Sequence, residues 1–165
     1  MTEPGLEQWL NQADALCRRR GARLTAQRRR VLAILGRTRR PLGAYAILDA
    51  LRDQSARSTA PPTVYRALEF LLEHGLIHRI ESLHAFIGCT HPEHPHAGQF
   101  LICRGCGLVE EKEDDRIQDS LGQTAQDSGF KSERPVVELI GLCADCRARP
   151  ISASEPIGQP GVGSP

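Results

Sequence analysis

Two cysteine pairs, Cys103-Arg-Gly-Cys106 and Cys143-Ala-Asp-Cys146, constrain this chain more than any other feature. Two thiolates spaced by two residues can share one ion, because the backbone between them turns in a tight knuckle that aims both sulfurs, and Gly105 and Gly107 relieve its crowding. A second knuckle completes a tetrahedral set of four sulfurs, which suits zinc. The 36 residues between the knuckles exceed the spacing of a compact zinc finger, so the ion is expected to clamp the ends of a helix-and-strand unit. With no coordination position left open, the site is expected to be structural.

A second concentration of donors lies just upstream. Leu76–Glu111 holds five of the six histidines and three of the six cysteines. With the knuckles set aside, it still offers His78, His84, Cys89, His91, His94 and His96, followed by Glu110 and Glu111. Any one of these histidines alone is an ordinary surface residue; the reading rests on their clustering beside a thiol and a carboxylate. Zinc needs four donors, and a set drawn from hairpin, linker and following strand would tie two parts of the molecule together, as a switch requires. A zinc hydrolase would instead need three ligands, an open position and Glu110 or Glu111 as base to a bound water. Four suitable ligands and no pocket-forming signature argue against an enzyme.

The N-terminal half is basic. The formal charge of +1 conceals a division after Glu81: residues 1–81 carry fourteen arginines and eight acids, residues 82–165 seven Lys or Arg and twelve acids. Arg18 through Arg40 contains ten arginines and no acid, a density that attracts polyphosphate and makes binding salt-sensitive through counterion release. At 165 residues the chain is expected to form two small domains sharing a hinge. It has no apolar run of about 18 residues, and MTEPGLEQWL lacks the charged start and apolar middle of a signal peptide, so a cytoplasmic protein with no membrane partner is expected.

Apolar spacing places the elements. Leu6, Trp9, Leu10, Ala13 and Cys17 predict a helix over 6–20 that stops at Gly21. Thr25 caps a second helix with Val31, Leu32, Ile34 and Leu35 inward, Arg28, Arg29 and Arg30 on its outer first turn, and Gly36 closing it. A third runs from about Gly43 to Arg52. Pro61 and Pro62 open a fourth, which buries Val64, Ala67, Leu68, Leu71 and Leu72 and ends at Gly75. That fourth helix leaves Thr63, Tyr65, Arg66, Glu69 and Phe70 off the core. Phe70 is expected to pack against a neighbour, whereas Arg66 can fork onto the O6 and N7 edge of guanine and Tyr65 can touch a thymine methyl or a phosphate. From Leu76 the period becomes two, and 76–81 with 84–89 predict a hairpin across Ser82-Leu83. Helices followed by a hairpin form the winged helix-turn-helix pattern. Beyond the linker Thr90–Gly98, strands are expected at Phe100–Cys103 and Leu108–Glu111, then a weak helix Asp114–Ser128 with Ile117, Leu121 and Ala125 inward, then a long strand Phe130–Leu142 interrupted by Pro135. The Pro, Gly and Ser content after Arg147 predicts a disordered tail.

The segments LTAQRRRVLAIL, PPTVYRALEFLLEHGLIHRIES and CRGCGLVEE followed by GLCADC resemble the ferric uptake regulator family, most closely its zinc uptake regulator branch, over residues 13–146. The resemblance implies an α+β chain: an N-terminal winged helix-turn-helix DNA-binding domain over residues 1–89, a hinge over 90–98 and a small zinc-containing C-terminal α/β dimerisation domain over 99–147, with the tail at 148–165. It implies a cytosolic homodimer that represses zinc-uptake genes when zinc is plentiful, one or two dimers binding a palindromic operator in double-stranded DNA. Two zinc ions per chain are implied, a regulatory one on His78, Cys89, His96 and Glu111 and a structural one on Cys103, Cys106, Cys143 and Cys146. The family's DNA-reading positions fall on Tyr45, Tyr65 and Arg66, with Thr63 beside them. A repressor of the same family sensing iron or another metal is the alternative. Iron-sensing relatives carry a histidine-rich run directly before the first cysteine pair, where this chain has Ala97-Gly98-Gln99-Phe100.

Overall fold

A computed structural model describes residues 3–53, 60–94, 96 and 98–148. The chain divides into two compact units, Met1–His94 and Pro95–Pro165. The polar loop expected before Pro61 and the expected disordered tail lie almost wholly outside the described residues, as do Pro95 and Ala97 of the linker.

The first unit holds α1 (Glu3–Arg19), α2 (Ala26–Gly36), α3 (Ala44–Asp53), α4 (Pro61–Glu73) and a hairpin of β1 (Ile77–Ile80) and β2 (Ala85–Gly88). Thr25 is the N-cap of α2, its side chain accepting from the Arg28 amide, and the two prolines open α4. Gly75, at φ +63°, lets Leu76 N donate back to Leu71 O at 2.9 Å, which closes α4 and turns the chain into β1. The hairpin is antiparallel, with His78 opposite Ile87, and its tip is a 3₁₀ turn over Glu81–Leu83 ending in His84 at φ +47°. Leu42 bonds both ways with Phe86 at 2.9 Å, an isolated bridge that ties the segment before α3 to β2. Val31, Leu32, Leu35, Ile47, Leu68 and Leu71 are buried at the centre, and α1 lays Leu6, Trp9, Leu10, Ala13 and Cys17 over them. This is a winged helix-turn-helix with α4 in the recognition position.

Gly36 does not act as the helix stop its position suggests. The helix does end there, with Gly36 as its last residue, but the cap is Arg37 at φ −81° rather than a left-handed glycine, and a Cβ on Gly36 would stand 2.6 Å from both Leu6 Cδ1 and Trp9 Cζ3. A Cβ on Gly88 would meet the far edge of the same indole at 2.9 Å. The two glycines therefore make room for Trp9, whose Nε1 donates to the Cys89 carbonyl at 3.1 Å.

The arginines of α2 also differ from expectation. They do not form an outer cationic row; all three are half-buried and engaged. Arg28 lies 3.5 Å from the Phe70 ring centroid and donates to Arg23 O, Arg29 pairs with Glu7 and bonds Asn11 and Leu10 O, and Arg30 donates to Leu51 O. The aliphatic stems cover apolar surface while the heads bond main-chain carbonyls of α1, α3 and the loop before α2. Phe70 packs inward, as expected of it, stacking on His74 at 4.0 Å.

The second unit is a three-stranded sheet ordered β4-β3-β5, from β3 (Gly98–Cys103), β4 (Val109–Lys112) and β5 (Val136–Gly141). β4 pairs antiparallel with β3, while α5 (Asp115–Asp127) is the crossover that lets β5 run parallel to β3 on its other side. The expected long strand starts only after Pro135, because proline donates nothing to a ladder. A short helix α6 (Ala144–Ala148) follows β5. Phe100, Ile102 and Val109 are buried. The inward positions expected on α5 are only partly covered: Ile117 and Ala125 are half-buried, while every other residue of the helix, Leu121 included, is exposed, as are Leu139 and Ile140 on β5. One helix on three short strands leaves too little layer to cover its own apolar surface.

Candidate metal centres and nucleic-acid interface

The parallel pairing of β3 and β5 builds the cysteine site. It places Cys103 opposite Gly141, so the knuckle that ends β3 and the one that follows β5 emerge side by side. Arg104 N donates to Gly141 O at 2.9 Å and Cys143 N to Cys103 Sγ at 3.2 Å. Cys146 comes in on α6. A Cβ on Gly105 would stand 3.0 Å from Cys146 Sγ and 3.1 Å from Leu142 Cδ2, so a larger residue in this knuckle would press on the ligand side chain. All four sulfurs lie within 4.8 Å of one another, and Cys106 Sγ is 3.8 Å from Cys143 Sγ. A tetrahedron with Zn–S bonds of about 2.3 Å has edges of about 3.8 Å, so the set fits zinc, and none of the cysteines is in a disulfide. Burial pushes the Cys103 thiol up, but main-chain bonds at Cys143, Cys106 and Gly105 and the Cys106 thiol outweigh it and bring it down to about 6. Cys146 is pushed up to about 12, first by its hydrogen bond to Cys143 and then by burial.

The other four expected metal ligands occur as a pair on each unit. In the first unit His78 lies on β1 and Cys89 directly follows β2, its N donating to Leu76 O at 3.0 Å. With His78 opposite Ile87 and Cys89 beside Leu76, the alternation of the strands puts both side chains on one face as diagonal neighbours. In the second unit His96 Nε2 and Glu111 Oε1 are 2.6 Å apart, with side chains only 6% and 4% exposed. Glu111 is held on β4 opposite Phe100. A buried imidazole and carboxylate at this distance leave their donor atoms together and shielded from solvent, which suits a metal site. Glu110 instead bonds Lys112, His84 sits against Arg79, and His91 bonds the Thr90 hydroxyl.

Thr63, Tyr65 and Arg66 are all exposed in the first turns of α4, and Tyr45 near the start of α3 is 71% exposed. An open tyrosine and an arginine in the first turns of the recognition helix can reach base edges and phosphates. Sequence reasoning missed two residues that hold the ligand segment: Trp9, bonded to Cys89 O, and Arg20, which donates to His74 O at 2.6 Å and to Pro92 O at 3.0 Å. The partners are 54 to 80 residues apart, so no local pattern reveals them.

The ferric uptake regulator family model matches residues 19–140. The zinc uptake regulation protein of Escherichia coli (strain K12) is 37% identical over 147 residues, covering 88% of this chain and 85% of that protein. A zinc uptake regulator solved in complex with zinc and DNA superimposes with a TM-score of 0.82 at 37% identity, over 89% of this chain and 97% of the other. The structure of holo XcZur does so with a TM-score of 0.81 at 38% identity, over 86% and 99%. With a winged helix-turn-helix, a four-cysteine cluster and these likenesses in one sequence, the chain belongs to the ferric uptake regulator family.

Proposed function

We propose that this protein is a zinc-responsive, DNA-binding transcriptional repressor of zinc-uptake genes that acts in the cytoplasm as a homodimer. The observation that carries the reading is the sorting of five thiols, two imidazoles and a carboxylate into a closed four-sulfur cluster and two imidazole-containing pairs, in a chain 37% identical to a zinc uptake regulation protein. Cys103, Cys106, Cys143 and Cys146 hold a structural zinc that staples β3 to the end of β5. His78, Cys89, His96 and Glu111 share a second, regulatory zinc. One sulfur, two imidazoles and a carboxylate are four donors of the types that zinc takes, and together they would leave no position for substrate. Cys89 favours zinc over harder ions at this second site.

Zinc supplies a cross-link at the regulatory site and no bond-breaking chemistry. Two ligands come from the hairpin that directly follows α4, one from the linker and one from β4, so occupancy would reduce the orientations open to α4. Tyr45, Thr63, Tyr65 and Arg66 read the DNA. The exposed Leu121, Leu139 and Ile140 supply the apolar surface through which two copies associate, setting two α4 helices on a palindromic operator. The closed state binds tightly because its geometry is paid for by the metal before DNA arrives.

The test is operator binding by fluorescence anisotropy against buffered free zinc, with iron(II) and manganese(II) as parallel arms. Zinc should raise affinity by about 5-fold to 150-fold, the usual range of allosteric coupling. His96→Ala and Cys89→Ser should abolish that gain yet leave a dimer with one zinc per chain. Equal affinity with and without zinc, or a response to iron alone, refutes the reading.

A further inference from the structure

We propose that α1 sets the metal sensitivity of this protein, with Trp9 and Arg20 acting as positioning residues that hold the Cys89–Pro92 segment in its metal-ready course. This rests on the zinc-sensor reading above and adds to it a control that lies outside the ligand set. Past β2, Cys89 N still donates to Leu76 O at 3.0 Å and carries the hairpin register on by one residue. Two side chains, one from within α1 and one just past its end, hold the segment that follows. Trp9 Nε1 donates to the carbonyl of the ligand residue itself, in a buried contact, and the indole cannot swing away because Gly36 and Gly88 close on its two edges. Arg20, one residue past the end of α1, uses two nitrogens of one guanidinium for two carbonyls. The first belongs to His74, the C-cap of α4, where unsatisfied carbonyls and the helix dipole favour a cation. With that arm seated, the second is aimed at Pro92 O, three residues beyond Cys89.

The consequence follows from the order in which freedom is lost. A ligand segment already held in place gives up little entropy when it closes on an ion, whereas a loose one must be ordered by the ion and needs more of it. Removing the hold therefore moves the zinc concentration at which the switch turns without altering the closed complex. Planarity matters as well as charge, since an ammonium on a flexible stem cannot span two carbonyls in fixed directions.

The experiment measures operator affinity across buffered free zinc for the full-length wild type, Arg20→Ala, Arg20→Lys and Trp9→Phe. The half-maximal free zinc is read separately from the affinity at saturating zinc, and zinc content is measured after mild chelation. Arg20→Ala and Trp9→Phe should raise the half-maximal zinc roughly three- to tenfold, leaving the saturated affinity and the more tightly held zinc unchanged. Arg20→Lys should stay shifted despite keeping its charge. An unchanged midpoint in the arginine variants overturns the proposal, as does a fall in saturated affinity with no midpoint shift, which is what a purely structural role produces. Should one variant fail to fold, the other two decide. Absence of zinc dependence in the wild type would instead refute the sensor reading itself.

Discussion

Gly36→Ala sets helix propensity against packing, and the structure says which wins. Alanine in place of glycine inside a helix normally stabilises by up to about 1 kcal/mol. Here the new methyl would stand 2.6 Å from Leu6 Cδ1 and 2.6 Å from Trp9 Cζ3, where carbon atoms prefer about 3.5–4.0 Å. Leu6 can rotate out of the way. Trp9 cannot, because its far edge already abuts Gly88 and its Nε1 is bonded to Cys89 O. Overpacking of this kind costs about 1–3 kcal/mol, and a locked ring places it in the upper part of that range. The net effect should be a loss of about 1–2 kcal/mol, which at roughly 4–8 °C per kcal/mol for a unit of this size is a readily measured fall in melting temperature. Trp9 is the only tryptophan in the chain, so its fluorescence during urea or thermal unfolding of the zinc-loaded protein reports the first unit directly. Far-ultraviolet circular dichroism extends the measurement to Trp9→Phe and the double variant, in which the smaller ring should relieve most of the penalty. A Gly36→Ala protein as stable as wild type, or a penalty that persists undiminished once Trp9→Phe has shrunk the ring, would refute the wedge.

Two further outcomes test the rest of the architecture. Cys103→Ser should release one zinc per chain and unfold the second unit, since a structural zinc contributes about 10–16 kcal/mol, as much as the whole stability of an ordinary domain; full zinc content with an unchanged melting profile would contradict it. Arg66→Ala should weaken operator binding by about 1–3 kcal/mol, measured at fixed salt, and relax discrimination at one base pair; a change of less than about twofold would remove Arg66 from the reading surface.

Features that depend on neighbours in sequence were legible before folding. Thr25, Pro61 and Gly75 bound helices by local chemistry, and the hairpin follows from a change of period. The cysteine knuckles carry their ligand geometry within four residues each. The likeness to a known family placed Tyr65 and Arg66 on the recognition helix, and the structure leaves both exposed there. What misled was the same local logic applied beyond its reach. Gly36 looks like a stop because helices often end in glycine, yet it is kept small by an indole 27 residues earlier. Arg28, Arg29 and Arg30 look like a free cationic row, yet their partners include Phe70, Glu7 and Leu51. Ile117, Leu121 and Ala125 have inward spacing on α5, but spacing specifies a face and not what covers it.

By itself, then, the amino-acid order determined the helices, the wing, the donor types and their pairing into knuckles, all of which arise from interactions within a few residues. Only the tertiary structure decided that β5 lies parallel to β3, which brings two distant knuckles within bonding range of one ion, and that α1 holds the segment after the wing through Trp9 and Arg20. These contacts span tens of residues, and their energy depends on three-dimensional packing that no periodicity encodes.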